Sequence, residues 1–491
     1  MTLDSSGART AIYTKLVRDI MRDTPLTAPP DIQLAELVKL LTKARASSVV
    51  LIDNNNQPLG IITEQDIVRR AAFNLPPDTP ASKIMTSPLQ IVMSNDHLFH
   101  AIARMRRNGH RHMPVINYDG CLEGILTLGD TMAAATERVM EQIDHLTHED
   151  SIEGLSQTKS FQVELAEKLI QEGLPVSDIQ TILTDINNDI YRRVVDINLR
   201  TMRTDGFGKP PVDFSVIVMG SGGRGENYIY PDQDNGFILD EYPDDRHTEI
   251  DGWFIELAER MTRDLDIVGL PKCKGYVMAT NPLWRKTLSQ WKNQVEIWGR
   301  RRSSTALRLC DIFFDFRTVW GNPAYGNELR DHITHLAANN HTLLQQLQDI
   351  SQDQGVGLSM FKRFIVEKDD PDHKGKINLK QSGTLPLVEG IRLLSLREKI
   401  TATSTLSRLD ALHERKIIDD NDHDYLQGAF RIICKLLLRQ QIKDFKAGND
   451  VSNYVHPRNL SQRDTHLLKN SMQAIHRLRE RIRSEFTADI F

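Results

Sequence analysis

Short apolar runs separated by polar turns recur in the first third of the chain, and they recur in register. Gly60-Ile61-Ile62-Thr63-Glu64-Gln65-Asp66 returns 64 residues later as Gly124-Ile125-Leu126-Thr127-Leu128-Gly129-Asp130. The same offset relates Asp19-Ile20-Met21 to Lys83-Ile84-Met85, and the apolar run Val49–Ile52 to Met113–Ile116. Three matches at one offset mark a duplicated unit. Each copy predicts a helix (34–43; 97–107), a strand, a turn (53–56; 117–120), a second strand and a closing helix. Residues 141–205 then read as helical: Ile179, Ile182, Leu183, Ile186 and Ile190 share one helical face. From about residue 335 to the end the chain is helical again. Its last helix follows Ser461 and carries the stripe Leu468, Met472, Ile475, Ile482 and Phe486, interrupted by Arg479, which suits a core or a dimer seam. Between these helical regions the apolar runs are strand-like and Gly-punctuated.

Composition narrows the function classes. The 491 residues are 40% hydrophobic and 26% charged, with a net charge of −5 and only 6% aromatics. No basic field or base-stacking surface for nucleic acid follows from this. Apolar runs fall well short of the ~20 residues of a membrane helix, and the N-terminus lacks a signal-peptide core. The cysteines, Cys121, Cys273, Cys310 and Cys434, are far apart and read as reduced thiols. Together these features predict a cytoplasmic protein that engages neither membrane nor nucleic acid.

Candidate chemistry concentrates at Val218-Met219-Gly220-Ser221-Gly222-Gly223-Arg224-Gly225-Glu226, followed by Asp232-Gln233-Asp234. The pattern predicts a strand, a glycine turn whose backbone can approach a phosphate, and a second strand carrying Asp232 and Asp234 on one face. Two carboxylates beside a phosphate cradle suit Mg²⁺-assisted phosphoryl or nucleotidyl transfer. Gly220, Gly222 and Gly225 also match a dinucleotide fingerprint, with Asp240 downstream. However, only Glu226 to Tyr230 separate the last glycine from Pro231, too few for a crossover helix. A P-loop is excluded because no Lys-Ser/Thr follows the glycines.

The duplicated G-x-x-T-x-x-D element resembles a CBS-domain pair over about residues 15–140. That resemblance implies adenosine nucleotides (AMP, ADP or ATP) as ligands, with Thr63, Asp66, Thr127 and Asp130 at the ribose hydroxyls. Thr63 and Thr127 also read as helix N-caps. Arg111 and His112 are candidates for the phosphates. The Gly-Ser-x-Gly-Arg-x-Glu…Asp-x-Asp element resembles the DNA polymerase β-type nucleotidyltransferase superfamily, in its branch containing the PII uridylyltransferase and the glutamine synthetase adenylyltransferase. That resemblance implies nucleotide and phosphate binding by Gly220, Ser221, Gly222 and Glu226. It also implies a catalytic set of Asp232, Asp234 and Arg224, with Mg²⁺ (or Mn²⁺) on Asp232 and Asp234 and an NTP as substrate. Arg224 would steady the phosphates or the local turn. A third carboxylate is often carried on a later strand in this superfamily. The segment expected to form it, 274–279, has none, and Asp311 and Asp315 are the nearest replacements, with Asp315 the candidate metal ligand; read alone, they form an Asp–Arg pair on a mostly buried helix. Gly269–Gly275, Met278–Trp284 and Asp315–Arg317 complete a resemblance to a bacterial family of signal-transduction proteins with a nucleotidyltransferase domain. Asn378–Gly383 is similar to a D-L-K-x-x-G element of that family. Lys380 there is either a group reaching the triphosphate or a surface lysine.

The expected fold is α/β plus all-α, namely an α+β CBS pair, a mixed nucleotidyltransferase-type sheet with helices, and a helical C-terminal domain. The expected divisions are a 1–14 extension, CBS copies at 15–76 and 77–140, a 141–205 helical connector, a 206–334 nucleotidyltransferase-like domain and a 335–491 helical domain. The expected function is adenine-nucleotide sensing coupled to Mg²⁺-dependent transfer of an NMP group to a protein or small-molecule hydroxyl. The alternative is a catalytically degenerate nucleotide-binding module that docks a partner protein. Resemblance to CBS pairs also implies a homodimer.

Overall fold

A computed structural model describes residues 15–71, 75–134, 151–300, 304–352, 355–359 and 361–488. The chain divides into two compact units, Met1–Glu149 and Asp150–Phe491.

In the first unit the duplication appears as two three-stranded sheets of the same design. Strand β1 (Thr27–Ala28) pairs parallel with β2 (Ser48–Ile52), which pairs antiparallel with β3 (Pro58–Thr63). Strands β4 (Val92–Met93), β5 (His112–Ile116) and β6 (Leu122–Thr127) repeat the arrangement. Helix α1 (Leu34–Ala44) buries Leu34, Leu37 and Leu41 on its i, i+3, i+7 face. Helix α2 (Leu98–Arg107) is its counterpart, and α3 (Leu128–Ala134) follows β6. The copies interlock through their repeated Ile-Met segments: Arg22 bridges to Ile125 in the second sheet, and Thr86 bridges to Ile61 in the first.

The second unit begins with α4 (Ile152–Gln171) and α5 (Val176–Thr204). The predicted stripe of α5, from Ile179 to Ile190, is buried. Both helices pack on α7 (His247–Val268) and so belong to the body of this unit. The mixed four-stranded sheet has the order β10–β7–β8–β9. Strand β7 (Phe214–Met219) is buried along its whole length and lies antiparallel to β8 (Asn235–Leu239) and β10 (Phe316–Gly321). The parallel partner of β8 is β9 (Arg285–Thr287). The glycine-rich turn forms the short helix α6 (Gly220–Arg224) directly after β7. Helices α8 (Leu288–Arg300) and α9 (Ser304–Phe313) carry an aromatic cluster in which Trp291 stacks on Phe313 at 4.5 Å. That cluster fixes the chain entering β10.

Helices α10 (Pro323–Ala338) and α11 (His341–Gln352) lead into the C-terminal helices α12 (Leu385–Arg397), α13 (Thr405–Glu414), α14 (Asp420–Lys446) and α15 (Gln462–Ala488). Between α11 and α12, strand β11 (Ile377–Asn378) pairs with β12 (Tyr454–Val455), which follows α14. Ser461 Oγ accepts from Asp464 N at 3.0 Å, as its capping position requires, and the stripe from Leu468 to Phe486 is buried. The stripe packs against α14 and α12, which makes it core. Among the described residues, no helix is long and apolar enough to cross a membrane.

Two details depart from the sequence expectation. Strand β8 starts at Asn235, so Asp232 and Asp234 precede it, in a tight turn where Asp234 N donates to Asp232 O at 3.0 Å. Residues 274–279 form a loop instead of a strand, held by buried Asn235, whose Oδ1 accepts from Ala279 N at 3.0 Å and whose N–H donates to Val277 O at 3.0 Å. Asn235 thus holds this loop through one main-chain and one side-chain hydrogen bond.

Candidate functional site

Strand β7 ends at Met219 and the chain turns at Gly220, whose φ of +58° suits glycine. A Cβ there would lie 3.0 Å from Asp234 Oδ2, so the turn abuts the carboxylate. Gly223 is more constrained: an added Cβ would lie 2.1 Å from the Asp315 carbonyl oxygen. Gly223→Ala is therefore expected to lower stability by at least about 1–3 kcal/mol, read by equilibrium urea unfolding. The turn is thereby pinned to the start of β10.

Gly220, Ser221, Arg224, Asp232 and Asp234 line a cleft of about 930 Å³ whose opposite wall includes Lys380, Ser382, Glu389 and Arg392 from the C-terminal helical region. Asp232 is exposed and Asp234 is half-buried at the cleft floor. Gln233 between them is fully buried and donates to Thr262 O and Leu270 O, which turns both flanking carboxylates to the cleft side. Burial pushes the Asp234 carboxyl up to about 6; the Asp232 charge adds to this, while a hydrogen bond from Cys273 and the charges of Lys380 and Arg224 oppose it. The Cys273 thiol is itself pushed up to about 11, by burial first and then by the charge of Asp234. Two adjacent carboxylates facing an open cleft suit a hard divalent cation that completes its coordination with water and phosphate oxygens. Asp232 and Asp234 are the residues that would hold it. Among the described residues, no group of three His, Cys, Asp or Glu side chains is placed to hold a metal.

Arg224 and Glu226 pair with each other beside the turn. Arg224 donates to Glu226 Oε2 at 2.6 Å and to Asp315 Oδ2 at 2.9 Å. Glu226 Oε1 accepts from Thr405 N, at the start of α13, at 2.6 Å. The Glu226 carboxylate thus joins the turn to the C-terminal helices. Tyr228 donates to Cys434 Sγ and Ile229 N donates to Gln441 Oε1, both on α14, so the loop leading to Asp232 is clamped as well. Ser221 Oγ donates to Asn227 Oδ1 at 3.0 Å, which fixes its rotamer at the cleft edge.

Asp315 also departs from its expected role. It is fully buried between Phe314 and Phe316. Arg224, Arg392 and Arg408 reach its carboxylate at 2.9, 2.5 and 2.7 Å. A carboxylate enclosed by three guanidinium groups is an anchor for buried charge. Burial alone would raise its pKa, but Arg408, Arg392 and Arg224 together hold it well below the usual carboxylate range. Arg392 also pairs with Asp311. The three arginines are thus matched by Asp315, Asp311 and Glu226. Glu389, a fourth carboxyl, is pushed up to about 8 by burial and by the Asp311 charge. The sequence reading missed Arg392, Arg408 and Glu389. Arg392 and Glu389 carried a signal, as the two charged residues within the mostly apolar run Leu387–Leu396.

Lys380 lies on the cleft wall, close enough for its charge to act on Asp234. Its preceding turn is fixed by Asn378 Oδ1, which accepts from Gln381 N at 3.1 Å.

In the first unit, the two Thr/Asp pairs occupy equivalent positions. Asp66 accepts from Thr63 N at 2.9 Å and Thr63 Oγ1 at 2.7 Å, and Thr63 Oγ1 in turn caps Asp66 N. Thr127 Oγ1 donates to Asp130 at 2.5 Å. His112 Nε2 lies 2.7 Å from Ser47 Oγ. Residues 145–150, a polar stretch with two histidines that reads as a solvated linker, lie outside the described residues.

Comparison with known proteins follows the same division. Residues 17–72 and 81–137 match the CBS domain model. Residues 162–305 match the model described as "Putative nucleotidyltransferase DUF294", and residues 341–486 match "Putative nucleotidyltransferase substrate binding domain". The chain is 38% identical over 105 residues to an uncharacterized 17.7 kDa protein of Acidianus ambivalens, covering 21% of this chain and 63% of that one. It is 29% identical over 107 residues to the inosine-5'-monophosphate dehydrogenase of Mycobacterium bovis, covering 22% of this chain and 20% of that enzyme. Less than two thirds of either relative is spanned. Among solved structures, a CBS domain protein from Pyrobaculum aerophilum complexed with AMP is 27% identical, with 26% of this chain and 98% of that one covered at a TM-score of 0.24. The CBS domain pair of protein MJ0100, complexed with 5'-methylthioadenosine and S-adenosyl-L-methionine, is 28% identical, with 24% and 91% covered at a TM-score of 0.22.

Proposed function

From a chain that joins a CBS domain pair to a DUF294 domain and its companion substrate-binding domain, we propose an adenine-nucleotide-regulated nucleotidyltransferase. Its reaction moves an NMP group from an NTP to a hydroxyl on a protein or small molecule. The observation that carries this reading is one cleft that gathers the Gly220–Ser221 turn, Asp232, Asp234 and Lys380. Asp232 and Asp234 would hold Mg²⁺ or Mn²⁺, which would offset the negative charge of the triphosphate. The backbone at Gly220 and Ser221 holds phosphate oxygens, and Lys380 adds positive charge from the opposite wall. The acceptor hydroxyl loses its proton to solvent as its oxygen bonds to the α-phosphorus, the bond from the α-phosphorus to the α–β bridging oxygen breaks, and pyrophosphate leaves with that oxygen. Arg224 and Glu226 act by keeping the turn in place. Incubation with α-labelled NTPs and candidate acceptors tests this: label appears in an acceptor, and no incorporation with any NTP counts against it.

Adenine nucleotide occupies the CBS pair, with a ribose diol donating to Asp66 or Asp130. Asp66→Ala or Asp130→Ala is expected to weaken AMP, ADP or ATP binding by at least about tenfold, read by calorimetry on folded protein. The setting is a cytoplasmic homodimer. A second reading is favoured by the commitment of Asp315 to three arginines: a degenerate module that binds NTP and docks a partner without transfer. That reading expects NTP binding with no labelled acceptor.

A further inference from the structure

The two CBS clefts have equivalent backbones and unlike chemistry. Arg22 exchanges both backbone hydrogen bonds with Ile125, and Thr86 exchanges both with Ile61. Arg22 and Thr86 are 64 residues apart in sequence, so they occupy one position of the repeat. At that position the second cleft has a guanidinium and the first has a hydroxyl. Arg22 Nε and Nη2 donate to the two oxygens of Asp130, each at 2.9 Å. Asp66 instead receives its arginine contact from Arg70 of its own helical turn, at 3.4 Å. His112, near Arg22 in the second cleft, has Ser48 as its repeat counterpart. Around His112 stand Arg22, Arg111, Asp130 and Glu64.

Resting on the proposal that the CBS pair takes adenine nucleotides, we infer that Arg22 is the residue by which the Asp130 cleft selects ligands carrying a phosphate. Asp130 cannot serve Arg22 and a ribose diol with the same oxygens. Ribose binding therefore displaces Arg22, whose exposed pair with Asp130 is weak enough to break. A displaced guanidinium needs a new anion. A 5'-phosphate supplies one, with the planar two-donor match that guanidinium makes to phosphate. A nucleoside without phosphate leaves Arg22 unmatched. The Asp66 cleft, with Thr86 at the corresponding position, lacks this requirement. The exchange also gives the second cleft two arrangements of the Arg22 segment, paired with Asp130 when empty and turned to phosphate when filled.

The test is calorimetric titration of the full chain with AMP and with adenosine, for the wild type, Arg22→Ala and Asp66→Asn. The wild type is expected to prefer AMP by roughly ten- to hundredfold. That preference persists in Asp66→Asn and collapses toward unity in Arg22→Ala, which loses AMP affinity and keeps or gains adenosine affinity. Arg22→Lys, with the charge and without the two-donor geometry, retains part of it. An undiminished preference in Arg22→Ala, or its loss in Asp66→Asn instead, overturns the inference while leaving nucleotide sensing intact. Failure of the wild type to bind either compound overturns both.

Discussion

Asp315→Asn lowers the free energy of unfolding by about 3–5 kcal/mol, because it leaves buried guanidinium groups without their shared counter-ion. The amide keeps the volume and removes only the charge. Arg392 and Arg408 are themselves buried and have little access to water as compensation. The loss shows as a lower midpoint in urea unfolding at neutral pH. Asp311→Asn, at a partly exposed carboxylate with one arginine partner, should cost less. The pH dependence has a definite sign. Asp315 has a folded-state pKa below its ordinary value of 3.8, so its contribution is complete above that value and is lost as pH falls through the depressed one. A stability loss under about 1 kcal/mol for Asp315→Asn would mean that the cluster does not anchor the turn.

Asp234→Asn and Asp232→Asn each reduce label transfer from NTP by at least about a hundredfold with the fold intact. On the proposed function, removing one of these two carboxylates halves the charge offered to a cation, and among the described residues no group of three such side chains is placed to hold a metal. Asp234 is expected to be the more severe of the two, since it abuts Gly220 and receives the Cys273 hydrogen bond. Unchanged circular dichroism and unfolding midpoint would separate this loss from misfolding. Equal activity in the variants and the wild type would remove both residues from the reaction.

Much of the fold was legible because its signals are local or repeated. The CBS pair announced itself through Thr63/Asp66 and Thr127/Asp130 at one offset, and the α5 and α15 stripes through helical spacing. The turn-and-carboxylate geometry was legible too, since Gly220 and Asp234 are only 14 residues apart. What stayed hidden depends on distant partners. Arg392 meets Asp315 across 77 residues, and Arg224 meets it across 91. No short pattern distinguishes a carboxylate that holds a metal from one that holds arginines. The expected strand at 274–279 is instead a loop held by a main-chain and a side-chain hydrogen bond of Asn235, the latter to Ala279 across 44 residues. The pairing of Arg22 with Asp130 was invisible because the two lie in different copies of the repeat.

The central claim is that the cleft under Gly220 is a nucleotide and metal site. A crystal structure with Mn²⁺ and an NTP analogue blocked at the α–β bridge tests it most directly. The account predicts an anomalous peak contacting Asp232 and Asp234, with the triphosphate along Gly220 and Ser221 and Lys380 facing it. Mn²⁺ and nucleotide bound elsewhere, with Asp232 and Asp234 contacting neither, would contradict it.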